Sequence, residues 1–501
     1  MIKPLSNIPI ESAALPSNLP APVVRELPAD LETPVTVYLK LAGQGPSFLL
    51  ESVTGGEHLA RYSFIGVHPT RAYVLRGHSL ETHDHQEVTT SRLPDGMDPL
   101  DSLRAELSHY RPAAIPGLPR FAGGLVGYLS FEMIRFFEPS VPVEPHAALP
   151  DGIFLLTDTV VAFDHAFGKL LLIANMRPEA GSEAEARAEA EARLDAIEAR
   201  LAAPMLAQSA ASTRPVSTEL AANMTRQAYM DAVEQAKKHI TAGDIFQVVL
   251  SQRLSRETSA SPFGIYRALR RLNPSPYMYF FDFDGLVAGE PSLQLIGASP
   301  EMHVRLEGRT ATVRPIAGTR PRGKTAAEDV ELERDLLADP KECAEHVMLV
   351  DLARNDLGRV CNYGSVSVHE QMVVERYSHV MHIVSQVEGQ LRPEYDAFDL
   401  VRATFPAGTV SGAPKIRAMQ IIHDLEKDAR GPYAGAVGYF AFDGSLDTCI
   451  TIRTLVMRGQ TISVQAGAGI VADSQPEREY QETLNKARAL AVAVEMAEKA
   501  A

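Results

Sequence analysis

The sequence predicts an α+β enzyme, on three observations. The first half is dominated by short segments of alternating or continuous apolar residues bounded by glycine and proline, which is the pattern of strands. The second half mixes such strands with well-capped helices of 3.6-residue period. At 501 residues the chain exceeds one ordinary core, so it reads as two large parts.

Residues 1–30 are proline-rich and irregular, and residues 31–176 form the expected N-terminal domain. Thr36–Leu41 opens a helix. Ser47-Phe48-Leu49-Leu50-Glu51-Ser52 reads as a strand, followed by Gly55-Gly56 and by Arg61-Tyr62-Ser63-Phe64-Ile65-Gly66. Ala72–Leu75 continues the strand pattern, and Gly123–Tyr128 and Ile153–Phe163 read as buried strands. Composition shifts at Pro178. Residues 177–222 are a charged helix, with Leu194, Ile197 and Leu201 on one face and the rest solvated, then an Ala/Pro/Ser/Thr linker over 203–222.

The expected C-terminal domain spans 223–497. Thr225 caps a helix whose stripe is Tyr229, Ala232, Val233, Ala236 and Ile240, and Gly243 ends it. In the strand Ile245–Ser251, alternation puts Gln247 opposite Phe246 and Val248, on a solvated face. Arg314–Gly323 reads as a loop, and Tyr377–His382 and Thr451–Leu455 follow, the latter a strand.

Asp339–Asp356 carries the most chemistry. Asp339 can accept the free first-turn amides, and Pro340 suits the first helical position. Glu342, Glu345, His346, Leu349 and Ala353 then fall on one helix face. Glu342 sits where a capping-box glutamate would. Glu345 lies deeper, beside Val347–Val350, and a buried carboxylate needs a cation or donors. With no lysine or arginine alongside, oxygen ligands point to Mg²⁺. The final helix repeats the pair as Glu479 and Glu482, so four glutamates could share one ion.

Other signatures exclude chemistry. Gly408-x-x-x-Gly412-x-x-Lys415 has the wrong spacing for a P-loop, and Gly467-x-Gly469 lacks the rest of a dinucleotide fingerprint, although its bare amides could approach an anion. A net charge of −15 argues against nucleic acid or anionic membrane as partner. Three cysteines are too few for a disulfide framework, and no signal peptide or membrane span is evident. These features imply a cytoplasmic location.

Taken together, Arg314–Arg320, the Asp339–Asp356 helix, Pro406–Lys415, Gly467–Gly469 and Glu482–Arg488 resemble the chorismate-utilising enzymes, over about residues 222–495. Leu49–Ser52, Arg61–Ser63 and Asn273–Met278 are similar to the tryptophan-sensing elements of anthranilate synthase large subunits. The resemblance implies large β-sheets packed with helices, an N-terminal regulatory part and a C-terminal catalytic part. Water-adding relatives carry a lysine base where this chain has Gln247, which cannot activate water. Aminodeoxychorismate synthases place a nucleophilic lysine where this chain has Ala317. Both differences favour the anthranilate-forming lyases over aminodeoxychorismate synthase or a non-catalytic chorismate or tryptophan sensor.

The resemblance further implies Mg²⁺ on Glu345 and Glu482, assisted by Glu342 and Glu479. It implies chorismate contacts at Gly318, Thr319, Tyr433, Arg453, Gly467, Ala468, Gly469 and Lys486, and catalysis by His382 with Thr409, Glu301 and Gln247. It implies a tryptophan inhibitor site at Glu51, Ser52, Pro276, Tyr277 and Met278. No cysteine lies in a nucleophile turn, so ammonia is expected from a separate glutamine amidotransferase subunit, in a heterotetramer of two large and two small subunits.

Overall fold

A computed structural model describes residues 19–43, 45–52, 61–84, 87–113, 115–205, 220–287, 291–377 and 380–500. The expected Gly55-Gly56 turn, most of the 203–222 linker and Ser378-His379 lie outside the described residues. Two twelve-stranded sheets make up the body. In one, Ser47–Glu51 pairs antiparallel with Tyr277–Asp282, and Thr461–Ile470 pairs with Gln247–Glu257. In the other, Gly124–Leu129 pairs antiparallel with Ala436–Ala441, and Val380–Gln390 pairs with Ile316–Pro321. Strands from before and after the 177–222 connection therefore run side by side in both sheets.

The sheets face one another over an apolar layer. Phe48, Phe64 and Phe281 from the first meet Tyr128, Leu155 and Tyr439 from the second, all buried. Phe121 lies between, with its ring centroid 5.5 Å from Phe64 and 4.5 Å from Tyr439. Each such side chain contributes roughly 1.5–3 kcal/mol by leaving water. Helices cover the outer faces, among them Pro34–Leu41, Pro262–Leu272 and Pro476–Ala500 on the first sheet. Alternating burial of both strand faces explains the continuous apolar runs read in the sequence.

The chain changes sheets where the sequence suggested unbroken strands. Ile153–Phe163 divides into Gly152–Thr157 in the second sheet and Thr159–Asp164 in the first. Asp158 at the break is buried and pairs with Arg177 at 2.6 Å and Arg193 at 2.5 Å. Likewise Thr451–Leu455 is not one strand. Leu446–Ile450 belongs to the second sheet, Thr454–Arg458 to the first, and Arg453 between them adopts a left-handed φ of 51°. The charged helix is Glu183–Ala202, capped by Ser182. Its charge pattern is more than a wet face, because Glu191, Asp195 and Glu198 converge on Arg25 of the edge strand. No described helix is long and apolar enough to cross a membrane.

Candidate active site

Two helices and four strands bring most of the predicted residues together. The first helix runs Pro340–Gly358, with Asp339 accepting from the amides of Lys341 (3.0 Å) and Glu342 (3.4 Å). The residues expected to form a loop before it form the strand Ile316–Pro321, interrupted by a bulge between Ala317 and Arg320. Gly318 takes a φ of 66° there, and a Cβ would meet Leu336 at 3.0 Å and the Glu342 carboxylate at 3.3 Å. A bulge re-aims the groups within it. Here it directs the Gly318 carbonyl at Nδ1 of His382, 2.8 Å away, with the Thr319 hydroxyl at 3.1 Å. The carbonyl can only accept, so Nδ1 carries the proton and Nε2 of neutral His382 keeps its lone pair. Burial lowers the pKa of His382, the Gly318 bond opposes this, and nearby Arg453 lowers it further.

The solvated face expected for Gln247 is not what the fold produces. Gln247 is only 4 % exposed, and its neighbour Phe246 is 73 % exposed. The Gln247 amide donates to Glu345 Oε1 at 3.2 Å. Gly469 opposite makes this possible, since a Cβ there would stand 2.5 Å from the amide nitrogen. Gly467 similarly leaves room for the Tyr433 hydroxyl, which would be 2.6 Å from a Cβ. Gly467, Ala468 and Gly469 lie inside the strand Thr461–Ile470. Its neighbour Thr454–Arg458 reaches only to Val464, so beyond that point one edge carries no paired strand among the described residues.

The carboxylates fall into two environments. Burial raises the pKa of Glu345, and Glu342 and Glu482 add to the rise by repulsion. Burial also raises that of Glu479, again with Glu482 contributing. The outer two have counter-cations, which for Glu342 is contrary to the expectation that no basic side chain stands alongside its pair. Arg320 lies 3.4 Å from Glu342, and Lys486 lies 2.6 Å from Glu482. Lys486 also donates to the Gly467 carbonyl at 2.9 Å, so its charge is already engaged. His346 leaves the carboxylate face: it is fully buried, with Nε2 2.6 Å from the Ser385 hydroxyl.

Across from this cluster, Glu301 is buried and accepts a hydrogen bond from the Thr409 hydroxyl at 2.6 Å. Burial pushes the pKa of Glu301 up to about 7, against the pull of Thr409, an Ile316 amide and Arg453. Arg453 itself is strongly desolvated, which lowers its pKa, and Tyr433, Glu482 and Glu301 are its nearest opposing influences. Among the described residues no hydrogen bond or ion pair engages its guanidinium. A desolvated guanidinium without a partner is a receptor for a carboxylate. Tyr433 is buried beside Arg430, whose guanidinium carbon lies 5.5 Å from the ring centroid.

No three His, Cys, Asp or Glu side chains close on a common point among the described residues. The donor chemistry nonetheless suits Mg²⁺, which commonly takes one or two protein carboxylates and completes its shell with substrate and water. Glu345 is the carboxylate whose desolvation most needs a cation.

A profile described as chorismate binding enzyme matches residues 46–492. The chain belongs to that family. Anthranilate synthase component 1 of Pseudomonas putida is 48% identical over 484 residues, covering 95% of this chain and 96% of that protein. The Synechocystis protein of the same description is 49% identical over 94% of this chain and 96% of its own length. The crystal structure of anthranilate synthase component I from Streptococcus pneumoniae superposes with a TM-score of 0.75 at 38% identity, covering 93% of this chain and 99% of that one. The menaquinone-specific isochorismate synthase from Escherichia coli shares the fold alone, at 21% identity and a TM-score of 0.69 over 95% of each chain. The α+β class and the family expected from the sequence are thereby borne out.

A second cavity of this chorismate-binding enzyme lies between the sheets, with some 670 Å³ of empty space counting its open mouth. Glu51, Ser52, Pro276, Tyr277 and Met278 all line it. The Ser52 hydroxyl is buried there without a hydrogen-bond partner among the described residues. Glu51 is not free, however: it accepts from the Tyr266 hydroxyl and, bidentately, from Arg270 at 2.9 and 3.0 Å. Arg305 and Asp447, paired at 2.9 Å, also line the wall. The motifs gave no signal for them, since they arrive from strands far away in the chain.

The burial of Glu301 predicts a pH signature. Its unfolded pKa is the usual glutamate value near 4.5 and its folded one about 7. Its raised folded pKa means that stability present below pH ~4.5 is lost as pH rises to ~7, by about 3 kcal/mol. Glu301→Gln removes this loss, so the variant should gain on the wild type between those pH values and hold its advantage above. Thermal midpoints across that range check it; parallel curves would refute the assignment.

Proposed function

We propose that this chain is the large subunit of an anthranilate synthase, converting chorismate and ammonia to anthranilate, pyruvate and water. The observation that carries the reading is the buried Gln247 amide seated against Glu345 in the site of a chorismate-binding enzyme. A neutral amide cannot deprotonate water, whereas ammonia is a nucleophile without a base. Ala317 is buried and offers no nucleophile of its own.

Chorismate is a dianion. Arg453, unpartnered and desolvated, would take one carboxylate, with the open edge beyond Val464 beside it. Glu345 and Glu482, with Glu342 and Glu479 behind them, would hold the Mg²⁺ that offsets the other carboxylate and supplies Lewis acidity when bound. Glu301, poised near neutrality, can give its proton to the C4 hydroxyl as it departs while ammonia adds at C2. Nε2 of His382, its tautomer fixed by Gly318, can accept a proton during the loss of pyruvate that makes the ring aromatic. Thr409 holds Glu301 in place. The ammonia would come from a glutamine amidotransferase subunit, because none of Cys343, Cys361 and Cys449 stands in a nucleophile setting. Burial raises the Cys361 thiol to about 11 and the Cys449 thiol further, the opposite of activation.

The inter-sheet cavity would hold L-tryptophan as a feedback inhibitor. The unpartnered Ser52 hydroxyl supports a polar ligand there, and Pro276, Tyr277 and Met278 suit an indole. Glu51 and Asp447 are both already engaged, by Arg270 and by Arg305, so an added amino group would share one of these carboxylates with its arginine.

Incubation of the chain with chorismate, Mg²⁺ and ammonium chloride tests the activity. Anthranilate and pyruvate should form in equal amounts; isochorismate or aminodeoxychorismate as main product would overturn the reading. Glu345→Ala and Glu482→Ala should each lower the rate by at least ~10–100-fold with the fold intact, the loss typical even of groups behind a metal's own ligands. Near-normal rates at modest Mg²⁺ would return both to the helix surface. Ser52→Phe should fill the cavity, keep most uninhibited activity and lose most tryptophan inhibition. Couplings of this kind are typically ~5–150-fold in affinity, so inhibition at unchanged tryptophan concentrations would rule the cavity out.

A further inference from the structure

Arg320 stands at the joint between the two halves of the site. It follows the Gly318–Thr319 bulge that holds His382, and its guanidinium reaches four acceptors. Nε donates to Asp335 at 2.6 Å, Nη2 to Asp339 at 2.9 Å, and Nη1 to the Thr319 carbonyl at 3.1 Å and Glu342 at 3.4 Å. Asp339 is the N-cap of the carboxylate helix, and Asp335 lies in the last turns of the preceding helix Ala326–Ala338. Three acidic groups therefore share one cation. Glu342 has the longest contact of the four, and it is the one of the three whose helix face also carries Glu345.

We propose that Arg320 is a positioning residue that acts through Glu342: it holds this carboxylate as an internal counter-cation would, and so weakens the binding of Mg²⁺ to the site when chorismate is absent. The inference rests on the Mg²⁺ reading given above. The physical reason is competition. Glu342 can neutralise either the fixed guanidinium or an entering ion, and the stronger its hold on the first, the less it offers the second. Asp335 and Asp339 set how strongly Arg320 claims Glu342, because a guanidinium shared among more acceptors holds each one less. A bare carboxylate cluster thus stays intact and folded without metal, and the ion gains most when substrate supplies further oxygen ligands.

The test is calorimetric titration of the full chain with MgCl₂ alone. Arg320→Gln should bind Mg²⁺ about 3- to 10-fold more tightly than wild type, and Arg320→Lys, which keeps the charge, should bind as wild type does. Asp335→Asn, an exposed change that leaves the fold alone, should act in the opposite sense: Arg320 turns more fully to Glu342 and Mg²⁺ binding weakens. Both effects should largely vanish in a Glu342→Gln background. A purely structural role predicts otherwise, since loss of the N-cap partner would loosen the helix and weaken Mg²⁺ binding in Arg320→Gln. Weaker or unchanged binding in that variant, or the same gain without Glu342, overturns the proposal. Wild-type binding indifferent to Glu345→Ala would instead remove the four-glutamate reading beneath it.

Discussion

Everything at this site follows from one electrostatic constraint: carboxylates taken out of water must be given a proton or a cation. Glu301 meets it with a proton, its pKa raised to about 7 by burial. Half-buried Glu342 has Arg320 alongside, while Glu482 stays in contact with water and pairs with Lys486. Among the described residues Glu345 has the Gln247 amide as its hydrogen-bond donor and only the distant charge of Lys341, and a neutral donor offsets part of the desolvation of a charge, not all of it. The site is left with one carboxylate in need of a positive charge and one guanidinium, Arg453, in need of a negative one. The proposed dianionic substrate, bound with a divalent ion, would satisfy both at once.

The scaffold explains why these opposed groups coexist without collapsing onto each other. Arg453 is fixed at the crossing between the two sheets, in a left-handed conformation, so its backbone cannot shift toward the glutamates without repacking both layers. Glu345 is fixed by a helix whose first turn is anchored at Asp339, and a packed interior resists such movement. The separation of charge is stored in rigid elements, which is what preorganised electrostatic catalysis requires.

Much of this was legible in the chain. Local signals sufficed for the Pro340–Gly358 helix, because its cap, its proline and its spacing are all contained in a few residues. Long ordered motifs singled out Gly318, Thr319, His382, Glu301 and Thr409 through resemblance, and the fold puts the first three in contact and the last two in contact. What the sequence concealed were relations between distant segments. Gln247 read as solvated because alternation cannot tell which face of a strand a second helix will cover. Arg320 went unnoticed as a partner of Glu342, since a lone arginine in a presumed loop carries no periodic signal. The strand breaks at Asp158 and Arg453 were missed because each is only a short, mostly polar interruption, Thr157-Asp158-Thr159 and Thr451-Ile452-Arg453-Thr454, between strands buried on both faces. Lys486 seemed free for substrate, and only tertiary structure shows it bonded to Glu482 and Gly467.

The same crossing geometry gives the proposed inhibitor cavity a short physical route to the chemistry. Asp447 and Cys449, on Leu446–Ile450, line the cavity. At the end of that strand the Ile450 amide donates to the Glu301 carbonyl at 3.1 Å, and its carbonyl accepts from the Ser299 hydroxyl at 2.7 Å. Ser299 in turn lies opposite Tyr277, another cavity residue, in the adjoining pair of strands. The cavity wall and the Glu301 backbone are thus consecutive parts of one hydrogen-bonded corner, followed within a few residues by Arg453. A ligand that spreads the sheets by a fraction of an ångström at Asp447 must move this corner or strain it. Because packed layers switch between discrete arrangements rather than deform continuously, such a ligand would displace Glu301 and Arg453 together, and with them both the proton and the positive charge that the substrate needs.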